Sequence, residues 1–349
     1  MSVAEPAPPV RHPARRTGSE TDAGTQSFSH VIRTIGRGPS LSRTLSQDEA
    51  KQAMAMILRG EAEPAQLGAF LVVLRYRKET PEELAGFVKA SRSMMARPAS
   101  ANAALDWPSY ADRHKQQPYF ILAAKLLSEN GVRVLMHGIA GDGPATTPKA
   151  LAALGIEPST GPDDAARRLD RENFAYLPLD RFCPQLMSLF DLRPVLGLRS
   201  PANTFARMLN PFAAPVQLQG VFHPTYLPTH QATAALLGQP VMGVFKGGGG
   251  EIQRNPEKPC NVATLVNGNA ETEIWPVTVD GSRHRWRDEP LIPARLKAVW
   301  RGDDDTASPN AAVVGTVAIA LRMLGLANSI PAAESSAKEM WEHRRKALP

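Results

Sequence analysis

Apolar residues recur at helical spacing over the first hundred positions of the chain and gather into short runs beyond them. The helical pattern starts at Phe28. Ser46 stands three residues before Glu49, a capping box that opens a helix carrying Ala50, Ala53, Met54, Ile57 and Leu58 on one side, and Gly60 ends it. A second helix begins near Pro64 with Leu67, Phe70, Leu71 and Leu74. A third is capped by Thr80, with Pro81 in its first turn and Glu83 at the third position, ahead of Leu84, Phe87 and Val88. These signals predict a small all-helical domain over residues 26–98. Past Pro98, short apolar runs at 132–136 and 240–245 alternate with amphipathic stretches such as 119–130, the βα rhythm of a parallel sheet. The fold class expected is therefore α/β: the helical domain packs on a large α/β domain, residues 99–349, with a mostly parallel central sheet. Residues 264–266 and 273–277 read as further strands, and 310–324 as a buried closing helix. Residues 1–25, with Pro6, Pro8, Pro9, Pro13, Gly18 and Gly24, read as a disordered tail. No internal repeat is visible.

Composition sharpens this picture in two places. Lys and Arg outnumber Asp and Glu by 40 to 34 in the 349 residues, a modest excess, but six of those cations (Arg193, Arg199, Arg207, Lys246, Arg254 and Lys258) fall in one stretch against Glu251 and Glu257. Such a local field suits a polyanionic partner. The two cysteines, Cys183 and Cys260, lack CxxC spacing and a His pair, so neither a zinc site nor a disulfide framework is expected, and a reducing cytoplasm fits. No stretch approaches the length of a membrane span, so no membrane partner is expected.

Candidate chemistry centres on residues 244–254. An apolar run ends in Lys246 and four glycines, followed by Glu251 and Arg254. A strand that opens into glycines at a sheet edge places backbone N–H groups near a ligand, so Lys246, Gly247, Gly248 and Arg254 are candidate phosphate-binding residues. The same residues also fit a flexible surface hairpin. Lys115 and Arg113, with His114 and Tyr119 close by, extend the candidate groove. Arg199 offers a planar fork for phosphate or carboxylate, or pins an interdomain seam through carbonyls. His137 and Gly138 end a strand, and no carboxylate near in sequence, apart from Asp142, would make His137 a base; a turn histidine is the expected role. Glu251 holds a metal ion or pairs with Arg254, the second being favoured. His223 and His230 frame two prolines and read as a turn and helix start.

The run Leu45 to Ala50, then Ile57-Leu58-Arg59-Gly60-Glu61, Pro64-Ala65-Gln66 and Glu79-Thr80-Pro81-Glu82-Glu83-Leu84, resembles the helical opening of the anthranilate phosphoribosyltransferase family. Arg199-Ser200-Pro201-Ala202-Asn203 and Leu209-Asn210-Pro211 resemble that family's Arg-Thr-x-x-Asn and Leu-x-Asn-Pro, and Asn310-Ala311-Ala312 its C-terminal helix start. The resemblance implies a helical domain completed by part of residues 178–213. It also exposes departures. Where the family has Gly-Thr-Gly-Gly-Asp to cradle pyrophosphate, this chain has Asp106-Trp107-Pro108-Ser109-Tyr110; where it has Lys-His-Gly-Asn, Met136-His137-Gly138-Ile139 stands; where it has a magnesium-recruiting Asp-Glu pair, Gly250-Glu251 stands. Ala206-Arg207 replaces the Gly-Pro before Leu-x-Asn-Pro. These changes resemble the family's YbiB-type branch. That likeness implies a non-catalytic, sequence-independent nucleic-acid-binding protein, DNA or RNA, homodimeric through the N-terminal helices and free of cofactor. Arg199, Arg207, Lys246, Gly247, Gly248, Arg254, Lys115, His137 and Gly138 would face the phosphates. The alternative is a surviving phosphoribosyl transferase with an altered phosphate site, using magnesium at Glu251.

Overall fold

The structure is a computed structural model that describes residues 27–100, 102–111, 114–280 and 284–347. The tail over 1–25 and Arg113 lie outside the described residues. Four helices open the chain: α1 (Phe28–Gly36), α2 (Gln47–Leu58), α3 (Pro64–Arg77) and α4 (Pro81–Met94). Their starts follow the capping logic of the sequence. The Ser46 and Thr80 hydroxyls accept from the N–H of Glu49 and Glu83, and each glutamate reaches back to the cap residue's own N–H. Glu83 is wholly buried and also takes Arg77 and the Leu45 N–H at 2.8 Å, so one carboxylate ties the starts of α2 and α4 together.

The rest builds a sheet from β1 (Leu105–Ser109), β2 (Val134–Gly138), β3 (Phe174–Pro178), β4 (Val216–Val221), β5 (Val241–Lys246), β6 (Cys260–Val266) and β7 (Asn269–Trp275). Its order is β3-β2-β1-β4-β5-β6-β7. The first five strands are parallel; β6 and β7 form an antiparallel hairpin on β5. This is the helical-plus-α/β architecture that the sequence predicts. The βα connections supply α5 (Phe120–Glu129), α6 (Thr147–Ala153) and α7 (Pro162–Glu172). Short helices α8 (Leu179–Phe182), α9 (Pro184–Asp191), α10 (Arg193–Leu196) and α11 (Ala202–Phe205) follow β3, and α12 (Leu227–Leu236) joins β4 to β5. The chain closes with α13 (Ala294–Arg301), α14 (Ala307–Met323) and α15 (Ile330–Glu342).

Two large apolar clusters divide the interior. One gathers Trp107, Met136 and Leu218 from one sheet face with α5, α14 and α15. The other gathers Leu135 and Leu177 from the opposite face with Phe70 and Phe87 of the opening helices and Phe182 and Phe205 of the short ones. Phe28, Phe70, Phe87 and Phe205 run ring to ring at 5.4–5.9 Å through that second cluster. Two expectations need correction. The stretch 119–130 is not amphipathic in effect: α5 is sandwiched between sheet and α14, and eight of its residues are buried. The helix over 310–324 does not close the chain, because α15, capped by Ser329, packs against it.

Candidate functional site

Five parallel strands deliver their C-terminal ends to one edge of the sheet, the place where open α/β sheets bind ligands. Two polar regions meet there, one buried and one open.

The buried region lies on the sheet face beneath the short helices. Tyr110, which follows β1, approaches His137 Nδ1 with its hydroxyl at 2.9 Å, and His137 Nε2 lies 3.2 Å from Asp106 Oδ1. Gln217 Nε2 donates to Asp106 Oδ2 at 2.6 Å, Gln219 Nε2 donates to Gln217 Oε1 at 2.6 Å, and His230 Nδ1 lies 2.6 Å from Gln219 Oε1. All six side chains are buried. Burial, with Arg207 nearby, holds the His230 imidazole down to about 3, so that ring is neutral; burial raises the Tyr110 phenol. Tyr-His-Asp is a proton-transfer order, here enclosed among buried side chains that pair with one another under a packed seam. Tyr110 also stacks on Phe190 of α9 at 5.9 Å, filling the space between the helices and the sheet.

Glu251 sits at the inner end of the glycine loop. Its Oε1 accepts the Ala111 N–H at 2.6 Å and its side chain is almost wholly buried. Burial pushes its carboxyl up to about 7, against the pull of Arg207 first and Arg199 more weakly. Magnesium with a diphosphate would want ionised, accessible carboxylates. Glu251 is buried and resists ionisation up to about neutral pH, and among the described residues no group of three or more His, Cys, Asp or Glu side chains is arranged to hold a metal ion. The residues present do not fit that group.

The open region is a groove of about 1000 Å³ beside the same loop. Lys246 and Lys258 line it from one part of the chain and Arg285 and Arg287 from another, all four exposed, against Asp288. Phe222 is on its rim, 37% exposed, with its ring edge-on to His223 at 4.8 Å, and Lys115 Nζ lies 6.0 Å from the ring centre. Lys115 itself is exposed. A second cavity, about 550 Å³, opens between the loop after β2 and helices α9 and α10, with Phe190, Arg193, Ser200 and Asn203 on its wall.

The sequence candidates thus separate. Lys246 lines the open groove, and Lys115 stands at its rim beside the Phe222 ring. Arg207 and His137 belong to the buried region, and Arg199, half-buried, stands near enough to Glu251 to act on its carboxyl. Arg254 is a correction: it is fully buried, its Nη1 donates to Glu334 Oε1 at 2.9 Å, its guanidinium lies 5.2 Å from the Trp275 ring centre and Pro276 O takes Nη2. It pins α15 to the β6–β7 hairpin. Glu251 therefore does not pair with Arg254. Gly247 and Gly248 are corrected as phosphate-cradling residues, since their N–H groups donate to Val221 O at 3.0 Å and Gln253 O at 2.8 Å. A Cβ on Gly247 would stand 1.6 Å from Glu251 O, so the glycine serves a close backbone approach. At Gly138 too a Cβ would meet backbone, Ser109 O at 1.9 Å, so a close approach of β1 requires the glycine. His137 has a carboxylate partner that the sequence alone did not reveal, Asp106 on the neighbouring strand. His223 and His230 begin a turn and α12, as expected. The sequence does not single out Arg285 and Arg287, which flank Trp286 in a segment without a motif.

Residues 29–95 match the model of the glycosyl transferase family helical bundle domain. Over 246 residues the chain is 30% identical to the uncharacterized protein YbiB of Escherichia coli, covering 69% of this chain and 76% of that protein. Over 231 residues it is 32% identical to anthranilate phosphoribosyltransferase of Rhizobium rhizogenes, covering 65% of this chain and 68% of the enzyme. The chain belongs to the anthranilate phosphoribosyltransferase family. Its fold agrees: the enzyme from Thermus thermophilus superposes with a TM-score of 0.75 at 22% identity, covering 91% of this chain and 94% of the enzyme. The Saccharomyces cerevisiae enzyme in complex with PRPP and Mg gives 0.71 at 17%, covering 90% and 96%. The stretch that the sequence resemblance sets against Gly-Thr-Gly-Gly-Asp forms strand β1 and Tyr110, with the Trp107 and Tyr110 rings buried. Among the described residues no helix is long and apolar enough to cross a membrane.

Proposed function

We propose that this family member is a non-catalytic nucleic-acid-binding protein that holds the phosphate backbone without reading sequence. One observation carries the reading: the position where the family keeps its glycine cradle is filled by buried rings, while exposed cations from separate parts of the chain line a groove beside it. Lysines and arginines on a groove neutralise phosphates whatever the bases are, and the released counterions make binding fall steeply with salt. A second copy of the chain extends the groove. Val72 and Tyr76, one turn apart on α3, are 39% and 91% exposed, and Val195 of α10 is 80% exposed, which supports pairing through the helical domain. Titrating single- and double-stranded oligonucleotides at two salt concentrations tests the proposal; affinity absent even at low salt contradicts it.

A second reading, phosphoribosyl transfer, is favoured by kinship with the transferases and by the 550 Å³ cavity beside Asn203. Product formed from phosphoribosyl diphosphate, magnesium and anthranilate would establish it in place of the first.

A further inference from the structure

We infer that Glu289 is a positioning residue that sets Arg285 and Arg287 against a bound nucleic-acid strand, an inference that rests on the nucleic-acid reading above. Residues 284–292 form neither helix nor strand, so no backbone ladder fixes them. Buried side chains do so instead. Glu289, 8% exposed, accepts on Oε1 from the Tyr119 hydroxyl and from Arg295 Nη1, and His284 Nε2 lies 3.6 Å away. Arg295 Nε is held in turn by Asp304 Oδ2 at 2.7 Å. Gln117 Nε2 donates to the carbonyls of Pro290 and Ile292 at 2.8 and 2.7 Å. Glu257 Oε1 takes the His284 N–H at 2.7 Å and the Ser308 hydroxyl at 2.6 Å.

Between these anchors Trp286 turns inward, edge-on to His284 at 4.6 Å and to Tyr119 at 6.3 Å, and its two neighbours Arg285 and Arg287 turn out to the groove. Closing a core takes apolar side chains; burying carboxylates costs desolvation and is worthwhile when it fixes a geometry. Here the geometry fixed is that of two cations with nothing to gain from order except a ligand on the groove side. Arg285 has an exposed acid, Asp288, 3.8 Å away; such a pair does not hold the segment by itself.

The sign of one substitution separates positioning from bare charge. Removing a carboxylate beside a polyanion groove should tighten binding by Coulomb attraction alone, and equally for Glu289→Gln and Glu289→Ala. Positioning predicts the reverse, graded. The full chain is titrated with an oligo-dT strand at two salt concentrations, and amide exchange is followed over 284–292 without ligand. Glu289→Ala is expected to weaken binding about tenfold, Glu289→Gln by less, and Arg285→Gln/Arg287→Gln to lower the salt slope by about 1.4, roughly 0.7 for each phosphate no longer neutralised. Adding Glu289→Ala to the arginine pair changes nothing more, and exchange over the segment accelerates in Glu289→Ala. If Glu289→Ala does not fold, Tyr119→Phe, which deletes one donor, carries the same test. Wild-type binding with undiminished Glu289 and Tyr119 variants overturns this inference alone; no binding by the wild type overturns the nucleic-acid reading and this inference with it.

Discussion

Glu251→Gln should stabilise the protein at alkaline pH and hardly at all in acid. A glutamate in the unfolded chain releases its proton near 4.5, whereas burial holds the native carboxyl protonated up to about 7. Between those values the unfolded state carries fewer protons than the native one, so stability falls as pH rises, and above about 7 the full loss is in place. The gap of about 2.5 pH units corresponds to about 3 kcal/mol. Glutamine keeps an oxygen for the Ala111 N–H and never ionises, so it escapes that loss. Urea unfolding of both proteins should give a difference of about 3 kcal/mol at pH 8 and under about 1 kcal/mol at pH 5. The same difference at both pH values would refute the reasoning. The result also bears on chemistry, because a carboxyl that costs this much to ionise is a poor magnesium ligand.

Three further outcomes are expected. Arg254→Ala leaves Glu334 and the Trp275 ring without their cation and should destabilise the protein by about 3 kcal/mol in chemical unfolding, while oligonucleotide affinity and salt slope stay unchanged, since this guanidinium is buried and already paired although the residue borders the groove. Phe222→Ala should weaken single-strand binding several-fold and leave duplex binding alone, because only unstacked bases offer a face to the exposed ring; equal losses on both would contradict this. Tyr76→Arg should turn a dimer into a monomer in light scattering with unfolding unchanged, and a persistent dimer would exclude this face of α3 as the contact.

Much of the fold is written locally and was legible for that reason. The Ser46 and Thr80 caps need only residues three positions on, and the run that became β5 announces itself by apolarity bounded by glycine. Long-range partners are not legible that way. Arg254 looks like a ligand-facing cation beside a glycine loop until α15, eighty residues later, brings Glu334 to it. Asp106 stands 31 residues before His137 and meets it only because β1 and β2 pair in parallel register. The glycines promised an anion cradle, but the N–H groups of Gly247, Gly248 and Gly250 are taken up by carbonyls of β4 and of the loop itself, a matter of backbone closure rather than composition. Arg285 and Arg287 lie in a segment without periodicity or motif, placed by that segment's own Glu289 together with Gln117, Tyr119 and Arg295 from elsewhere in the chain.

Phosphate neutralisation in the open groove is the central element of the proposed function. The most direct measurement is the salt dependence of oligonucleotide affinity for the wild type and for Lys246→Glu/Lys258→Glu. The wild type should lose affinity along a straight line in log salt, and the variant should bind more weakly for every sequence tried, with a slope shallower by about 1.4 on single strands. Equal affinity and equal slope in the two proteins would contradict it.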